Sequence, residues 1–295
     1  MNKNNHIEGI ILKSTGGFYY VQDGNTQITC RARGRFRHLG ITPLVGDRAT
    51  VTRLTQDTGV LDGILERKNV FFRPPIANVD QLVLFASETI PRTDPFLLDR
   101  VAAIGAWQNC PSIICINKRD LGQSERLYPI YQKAGFATLQ ISAKTGEGIE
   151  ELRSLLRGKT SVFTGNSGVG KSSMINALFP NMALEVGEVS EKLGRGRHTT
   201  RTVELFLMEE DIVVADTPGF SSFDAVQYAN RQTDQLQFAF REFAPYLGQC
   251  QFTGCSHVKE KGCAVLEAVK NGTIPRSRHE SYVRLYGEMT EAKPY

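Results

Sequence analysis

Four short runs of this chain carry residue types that handle nucleotides. Gly165-Asn166-Ser167-Gly168-Val169-Gly170-Lys171-Ser172 matches the G-x-x-x-x-G-K-[ST] phosphate loop, and Ser173 follows it. Its glycines let backbone N–H groups wrap around phosphate oxygens at a helix N-terminus. Lys171 is suited to neutralise the outer phosphates and Ser172 to ligate Mg²⁺. Asp216 ends an expected strand and opens Asp216-Thr217-Pro218-Gly219. That is the place for a carboxylate reaching the Mg²⁺ shell through water, with the Gly219 N–H directed at a terminal phosphate. Asn117-Lys118-Arg119-Asp120 offers a carboxylate for the N1–H and N2 amine of guanine, donors that adenine does not present there. Lys118 can cover the base plane. In Ser142-Ala143-Lys144, the Ala143 N–H can meet the guanine O6. Each run taken singly also fits an ordinary turn; together, at strand ends where α/β sheets bind ligands, they make a guanine-nucleotide set.

Their order is rotated. The usual arrangement starts with the phosphate loop, whereas here the base-reading runs come first, the phosphate loop follows and Asp216–Gly219 is last. The expectation is a circularly permuted α/β P-loop GTPase with its motifs in the order G4-G5-G1-G2-G3.

A second constellation lies near the C-terminus. Cys250-x4-Cys255-x-His257-x5-Cys263 supplies three thiolates and an imidazole within a glycine-bearing stretch. That is a full tetrahedral set for one structural Zn²⁺, with no open position for catalysis. The other three cysteines, Cys30, Cys110 and Cys115, lie in or beside expected strands, where packing accounts for them.

Residues 1–72 read as short strands with glycine turns: Ile7–Leu12, Phe18–Val21, Thr26–Arg33, Arg48–Leu54 and Gly59–Leu65. Five such strands fit an OB-type β-barrel. Arg31, Arg33, Arg35 and Arg37 alternate there, which in an extended strand puts all four guanidiniums on one face. That face suits phosphate oxygens, hence RNA; the alternative is a charged edge strand that resists aggregation. Pro74-Pro75 marks a connection into residues 73–223, the α/β part. Gln81–Ala86, Ser112–Ile116, Thr138–Ile141 and Ser161–Thr164 are its expected strands, and Pro95–Trp107, Glu147–Leu156 and Lys171–Leu178 its helices. Gly187–Arg201 is an expected loop, and Val203–Met208 with Ile212–Ala215 a strand pair. Residues 224–295 read as a mostly helical zinc-binding part, ending in a helix over Arg278–Glu291. Lys259, Lys261, Lys270, Arg276, Arg278 and Arg284 suggest a second RNA-facing surface there, or a solvated face.

The chain has 295 residues, a net charge of +4 and 41% apolar residues, enough for more than one core. No run reads as a membrane span, and Met1–His6 lacks the apolar stretch of a secretory signal. A cytoplasmic protein with reduced cysteines is expected.

In its motifs and their order, in the N-terminal barrel and in the C-terminal cluster, the chain resembles the circularly permuted, ribosome small-subunit-dependent GTPases, the RsgA/YjeQ/YloQ family. The resemblance implies GTP hydrolysis to GDP, stimulated by the 30S ribosomal subunit late in small-subunit assembly, with contacts to 16S rRNA. A monomer is expected. Arg197-His198-Thr199-Thr200-Arg201 looks like the family's switch I, with Thr200 as the Mg²⁺-sensing threonine and Thr199 as the alternative. Phe220 follows Asp216–Gly219 where many GTPases carry a water-orienting glutamine, so intrinsic turnover should be slow. His198 is the internal candidate for orienting water; the alternative is a phosphate- or RNA-facing histidine. Gly168 stands where related GTPases use asparagine for potassium, which leaves potassium activation open. Two other classes remain: an RNA-binding protein with a structural nucleotide, and a GTP-driven metal chaperone, which the closed ligand set disfavours. Because switch II runs straight into the zinc-binding part, loss of the terminal phosphate is expected to reorient that part on RNA.

Overall fold

The structure is a computed structural model, and it describes residues 5–122, 125–180, 203–209, 211–216 and 233–291. It divides into two compact units. The first takes the residues up to Asp80, Leu156–Val162 and a later hairpin; the second takes Gln81–Leu155 and most of the remainder.

In the first unit, β1 (His6–Thr15), β2 (Phe18–Asp23) and β3 (Thr26–Ala32) form an antiparallel meander, followed by the short helix α1 (Arg35–His38). Strands β4 (Arg48–Arg53) and β5 (Thr58–Ile64) close the barrel in the order β1-β2-β3-β5-β4, with β3 and β5 parallel. Alternating inward residues fill it: Ile11, Val21, Ile28, Cys30, Ala49, Val51 and Leu61 are buried, and Phe36 from α1 joins them. Burial pushes the Cys30 thiol up to about 11, as fits a packing cysteine. A two-stranded hairpin, β6 (Val70–Phe72) and β7 (Pro75–Ala77), occupies the expected connection. Pro75 opens its strand, a position where the missing N–H costs no ladder bond.

The arginine pattern departs from expectation. Only Arg31 lies in β3; the strand stops at Ala32, and Arg35 and Arg37 belong to α1. Burying Phe36 in the barrel core requires the chain to turn there, so the period of two does not continue past Gly34. The four side chains therefore do not share one strand face. Arg31 stacks over Phe18 at 4.6 Å, while Arg33 and Arg35 reach the Asp62 carboxylate and carbonyl respectively. Arg31, Arg33 and Arg37 still line one cleft of about 510 Å³, together with Tyr19 and Phe36.

In the second unit, β8 (Gln81–Ser87) is buried along its whole length, as a central parallel strand should be. Helix α2 (Pro95–Trp107) begins with Pro95 at its first position and with Asp94 accepting the Phe96 N–H at 3.0 Å. Then come β9 (Ser112–Asn117), α3 (Leu127–Lys133), β10 (Ala137–Gln140), α4 (Ile149–Leu156), β11 (Lys159–Gly165) and α5 (Lys171–Leu178). The sheet order is β10-β9-β8 with the end of β11 next; in the first unit the start of β11 is followed by the antiparallel hairpin β13 (Ile212–Asp216) and β12 (Leu205–Glu209). Parallel pairing sets Ser87 beside Asn117 and Gln140 beside Ile116, so several strands end at one edge of the sheet.

The C-terminal segment also belongs to the second unit. Two 3-10 turns, Thr233–Ala239 and Arg241–Tyr246, precede α6 (Ala264–Lys270) and α7 (Arg276–Glu291). Phe240, Phe243, Tyr282, Leu285 and Met289 share one apolar cluster with Phe96 and Ala103 of α2. Arg278 is not an RNA-facing residue: it is 1% exposed and pairs with Asp99 of α2 at 2.6 Å and with Glu242 at 2.6 Å. The rings of Phe240 and Phe136 lie 4.6 and 5.1 Å from its guanidinium. Arg284 stacks over Phe96 at 3.7 Å, while Lys259, Lys261, Lys270 and Arg276 are exposed. Among the described residues no helix is long and apolar enough to cross a membrane.

Candidate nucleotide site and metal centre

The phosphate loop forms where strand β11 gives way to helix α5. Gly165 has φ +147°, and a Cβ there would lie 2.4 Å from the Phe85 carbonyl oxygen. Gly170 caps α5 with φ +93°, and a Cβ there would lie 2.4 Å from Asn117 Nδ2. Glycine is thus required twice, for backbone conformation and for close approach. Lys171 Nζ donates to the carbonyls of Gly165 at 2.5 Å and Asn166 at 3.2 Å, which puts the ammonium inside the arc of the loop. Asn166 is half-buried, whereas Ser167 and Gly168 are exposed; Val169 is buried, and Ser172 and Ser173 are exposed on the first turn of α5.

Asn117 joins the runs that the sequence separates. Its side chain, in a residue only 4% exposed, donates to the Val169 carbonyl at 2.9 Å and accepts the Ala143 N–H at 3.1 Å. The Asn117 strand end, the Gly165–Ser172 loop and the Ser142–Lys144 turn are thereby held in one frame. Ser142 Oγ donates to Asp120 Oδ1 at 2.7 Å and accepts the Thr145 N–H at 3.2 Å, which fixes the carboxylate. Lys144 Nζ stands 3.9 Å from Asp120 Oδ2. Lys118 has φ +69°, and its ammonium donates to the Ile90 carbonyl at 2.6 Å. Asp216 is the last residue of β13. His198, Thr199, Thr200, Gly219 and Phe220 lie outside the described residues.

At the second constellation, one ligand atom from each of Cys250, Cys255, His257 and Cys263 falls within 4.8 Å of all the others. Tetrahedral Zn²⁺ with Zn–S of about 2.3 Å and Zn–N of about 2.0 Å separates two sulfurs by about 3.8 Å and a sulfur from a nitrogen by about 3.5 Å. Here Cys250 and Cys263 Sγ are 3.8 Å apart, and His257 Nδ1 is 3.5 and 3.3 Å from them. The spacing and donor set fit a closed zinc site. His257 Nε2 faces Gln237 Oε1 at 2.9 Å, which leaves Nδ1 as the ligating nitrogen. Burial lowers the His257 pKa and so favours the neutral imidazole that metals take. The N–H groups of Ala264 and Leu266 point at Cys250 and Cys263 Sγ, at 3.4 and 3.5 Å.

Two supporting residues escaped the reading of the motifs. Glu260 accepts the N–H groups of Ser256, Val258 and Lys259, at 2.9 to 3.0 Å. Burial works against its charge, but the Ser256 hydroxyl and these N–H groups win and hold it down to about 2. Gln237 sits twenty residues before its partner. A carboxylate between two ligands is a visible signal for the first; nothing local marks the second.

Known proteins resemble this chain over its length. The RsgA GTPase family model matches residues 64–226, and the RsgA N-terminal domain matches residues 8–61. The small ribosomal subunit biogenesis GTPase RsgA of Caldanaerobacter subterraneus is 44% identical over 97% of this chain and 96% of that protein. The protein of the same name from Geobacillus kaustophilus is 44% identical over 97% and 99%. Among solved structures, YjeQ from Thermotoga maritima has a TM-score of 0.82 at 33% identity, covering 97% of this chain and 99% of its own. YloQ, a circularly permuted GTPase, has a TM-score of 0.80 at 33% identity, covering 100% and 99%.

Proposed function

The chain belongs to the RsgA GTPase family, and from that premise we propose how its own residues carry out a GTPase function in small-ribosomal-subunit biogenesis. Gly165–Ser173 hold the phosphates, with the Lys171 ammonium against the outer ones. Ser172 and Thr200 would hold the Mg²⁺ that comes with GTP, with Asp216 supporting it. Asp120 reads the guanine N1–H and N2 amine, Lys118 covers the ring, and the Ala143 N–H meets O6. When bound there, Mg²⁺ would neutralise phosphate charge as the bond to the terminal phosphate breaks. Phe220 cannot orient water by hydrogen bonding, so that task falls to His198 together with groups on the small subunit.

Residues 1–72 form the RNA-binding barrel, with Arg31, Arg33, Arg35 and Arg37 as phosphate contacts on 16S rRNA. Residues 73–223 form the GTPase domain and residues 224–295 the zinc-binding domain. Cys250, Cys255, His257 and Cys263 hold one structural Zn²⁺. The protein acts as a cytoplasmic monomer on the 30S subunit.

The observation that carries this reading is the Asn117 side chain, which bonds at once to the phosphate loop and to the Ala143 turn. That link ties phosphate and base recognition together. The test is GTP hydrolysis with and without purified 30S subunits, with 50S subunits and Asp120→Asn as controls. Stimulation by 30S alone, and lost guanine preference in the variant, is the expected result. Flat turnover despite tight GTP binding points instead to an RNA-binding protein with a structural nucleotide.

A further inference from the structure

We propose that the loop between β8 and α2, Glu88–Thr93, positions the base-reading lysine, with Thr93 as the positioning residue that keeps the loop closed. The proposal rests on the reading of Lys118 as the cover of the guanine plane. The loop starts at Ser87, whose register partner is Asn117, so it emerges directly beside the base-reading run. Its base is stapled. The Thr93 N–H donates to the Ser87 carbonyl at 2.9 Å, and the Ser87 N–H donates to Thr93 Oγ1 at 2.9 Å. Ser87 and Thr93 are 0% and 2% exposed, so water does not compete for these bonds. Arg126 Nη2 adds a bond to the Thr93 carbonyl at 2.9 Å.

The stapled base presents a tip with two contacts. Ile90 turns its carbonyl to Lys118 Nζ at 2.6 Å. Pro91 faces the phosphate loop, where a Cβ on Gly168 would stand 3.2 Å from Pro91 Cδ and 3.3 Å from Cγ. Glu88, Thr89 and Arg92 line a cleft of about 330 Å³ together with Asn117 and Lys118. An unrestrained lysine samples many rotamers, and ordering them on binding weakens affinity. Tying the ammonium to a carbonyl from a closed loop orders the aliphatic stem beforehand. The Ile90 side chain is 91% exposed, so the loop acts through its backbone.

The measurement is GDP affinity of the full-length protein by calorimetry, for wild type, Thr93→Val, Thr93→Ser, Lys118→Met and the double variant of Thr93→Val with Lys118→Met. Thr93→Val keeps the shape of the side chain and removes the acceptor for the Ser87 N–H. We expect it to weaken GDP about tenfold. The double variant should bind no more weakly than Lys118→Met alone, because Thr93 acts through the ammonium. Thr93→Ser, which retains the acceptor, should restore affinity. Additive losses in the double variant, or unchanged affinity in Thr93→Val, would each overturn the proposal. If Thr93→Val does not fold, the same cycle with Arg126→Met asks the same question from the other side of the loop. A wild-type protein that binds no GDP removes the reading of Lys118 itself, which distinguishes the two failures.

Discussion

Asn117 and Gly170 show how little slack the nucleotide site has. The Asn117 amide holds two loops with two hydrogen bonds from a buried position, so Asn117→Ala leaves the Val169 carbonyl and the Ala143 N–H without that partner. Losing both costs about 2–4 kcal/mol of site organisation, and GDP affinity measured by calorimetry should drop by between thirty- and several-hundredfold. Gly170→Ala should do comparable harm despite alanine's helix preference, because its Cβ would meet Asn117 Nδ2 at 2.4 Å and φ is +93°. Asp62 carries a pH signature of its own. Burial raises its pKa, but bonds from Thr52 and Arg33 outweigh burial and leave it below the ordinary 3.8. A depressed carboxylate contributes stability above its unfolded pKa and loses it as pH falls through the folded value. The melting temperature should therefore fall as pH drops below about 4, and Asp62→Asn should flatten that dependence.

Among the elements, the C-terminal segment depends on its ligands and its anchor. The apolar cluster around Phe240, Phe243 and Tyr282 is joined to the loop that carries the four candidate ligands, so on the proposed zinc reading the fold there is linked to the metal. Elemental analysis should find one zinc per chain. Removal by a strong chelator should raise hydrogen exchange across residues 233–291 and leave the barrel protected. Arg278 is the other support. Burial opposes its charge, but Asp99 and Glu242 outweigh that and keep it protonated. Arg278→Met strands two carboxylates in the interior and should cost about 3–5 kcal/mol, read from thermal or denaturant unfolding. Adding Asp99→Leu and Glu242→Met should recover part of that loss, since the uncompensated charges go with it.

For the whole molecule, the proposed function divides between a nucleotide frame and surfaces proposed to meet RNA. The C-terminal segment with the Cys/His cluster shares a unit and an apolar cluster with α2, so any nucleotide-driven reorientation must break the Arg278 triad or carry α2 along. The switch II stretch expected to drive it lies outside the described residues beyond Asp216. On the barrel, three arginines share a cleft, although they come from a strand, the turn after it and a helix. Arg31→Ala and Arg37→Ala should each weaken rRNA binding and reduce the salt dependence of log K by about 0.7–0.9, measured by titration at several salt concentrations. Unchanged slopes would place the phosphate contacts elsewhere.

The sequence alone determined which residues are candidates for the chemistry, because nucleotide and zinc motifs are residue types at short fixed spacings. Gly165–Ser172, Asn117–Asp120, Ser142–Lys144 and Cys250–Cys263 each act as a local unit, legible without any fold. It also determined the barrel strands and the parallel strands, whose apolar patterns are local too. Only the tertiary structure decided which charges face water. Arg278 reads as basic surface until α7 packs on α2 and pairs it with Asp99, 179 residues away. The arginine alternation fails at Gly34 because the barrel needs Phe36 inside, a demand made by strands distant in the chain. The Ile90 carbonyl carries no side-chain signature at all, and its bond to Lys118 exists only because parallel pairing sets Ser87 beside Asn117. Local spacing encodes what binds; long-range packing decides what is held still to bind it.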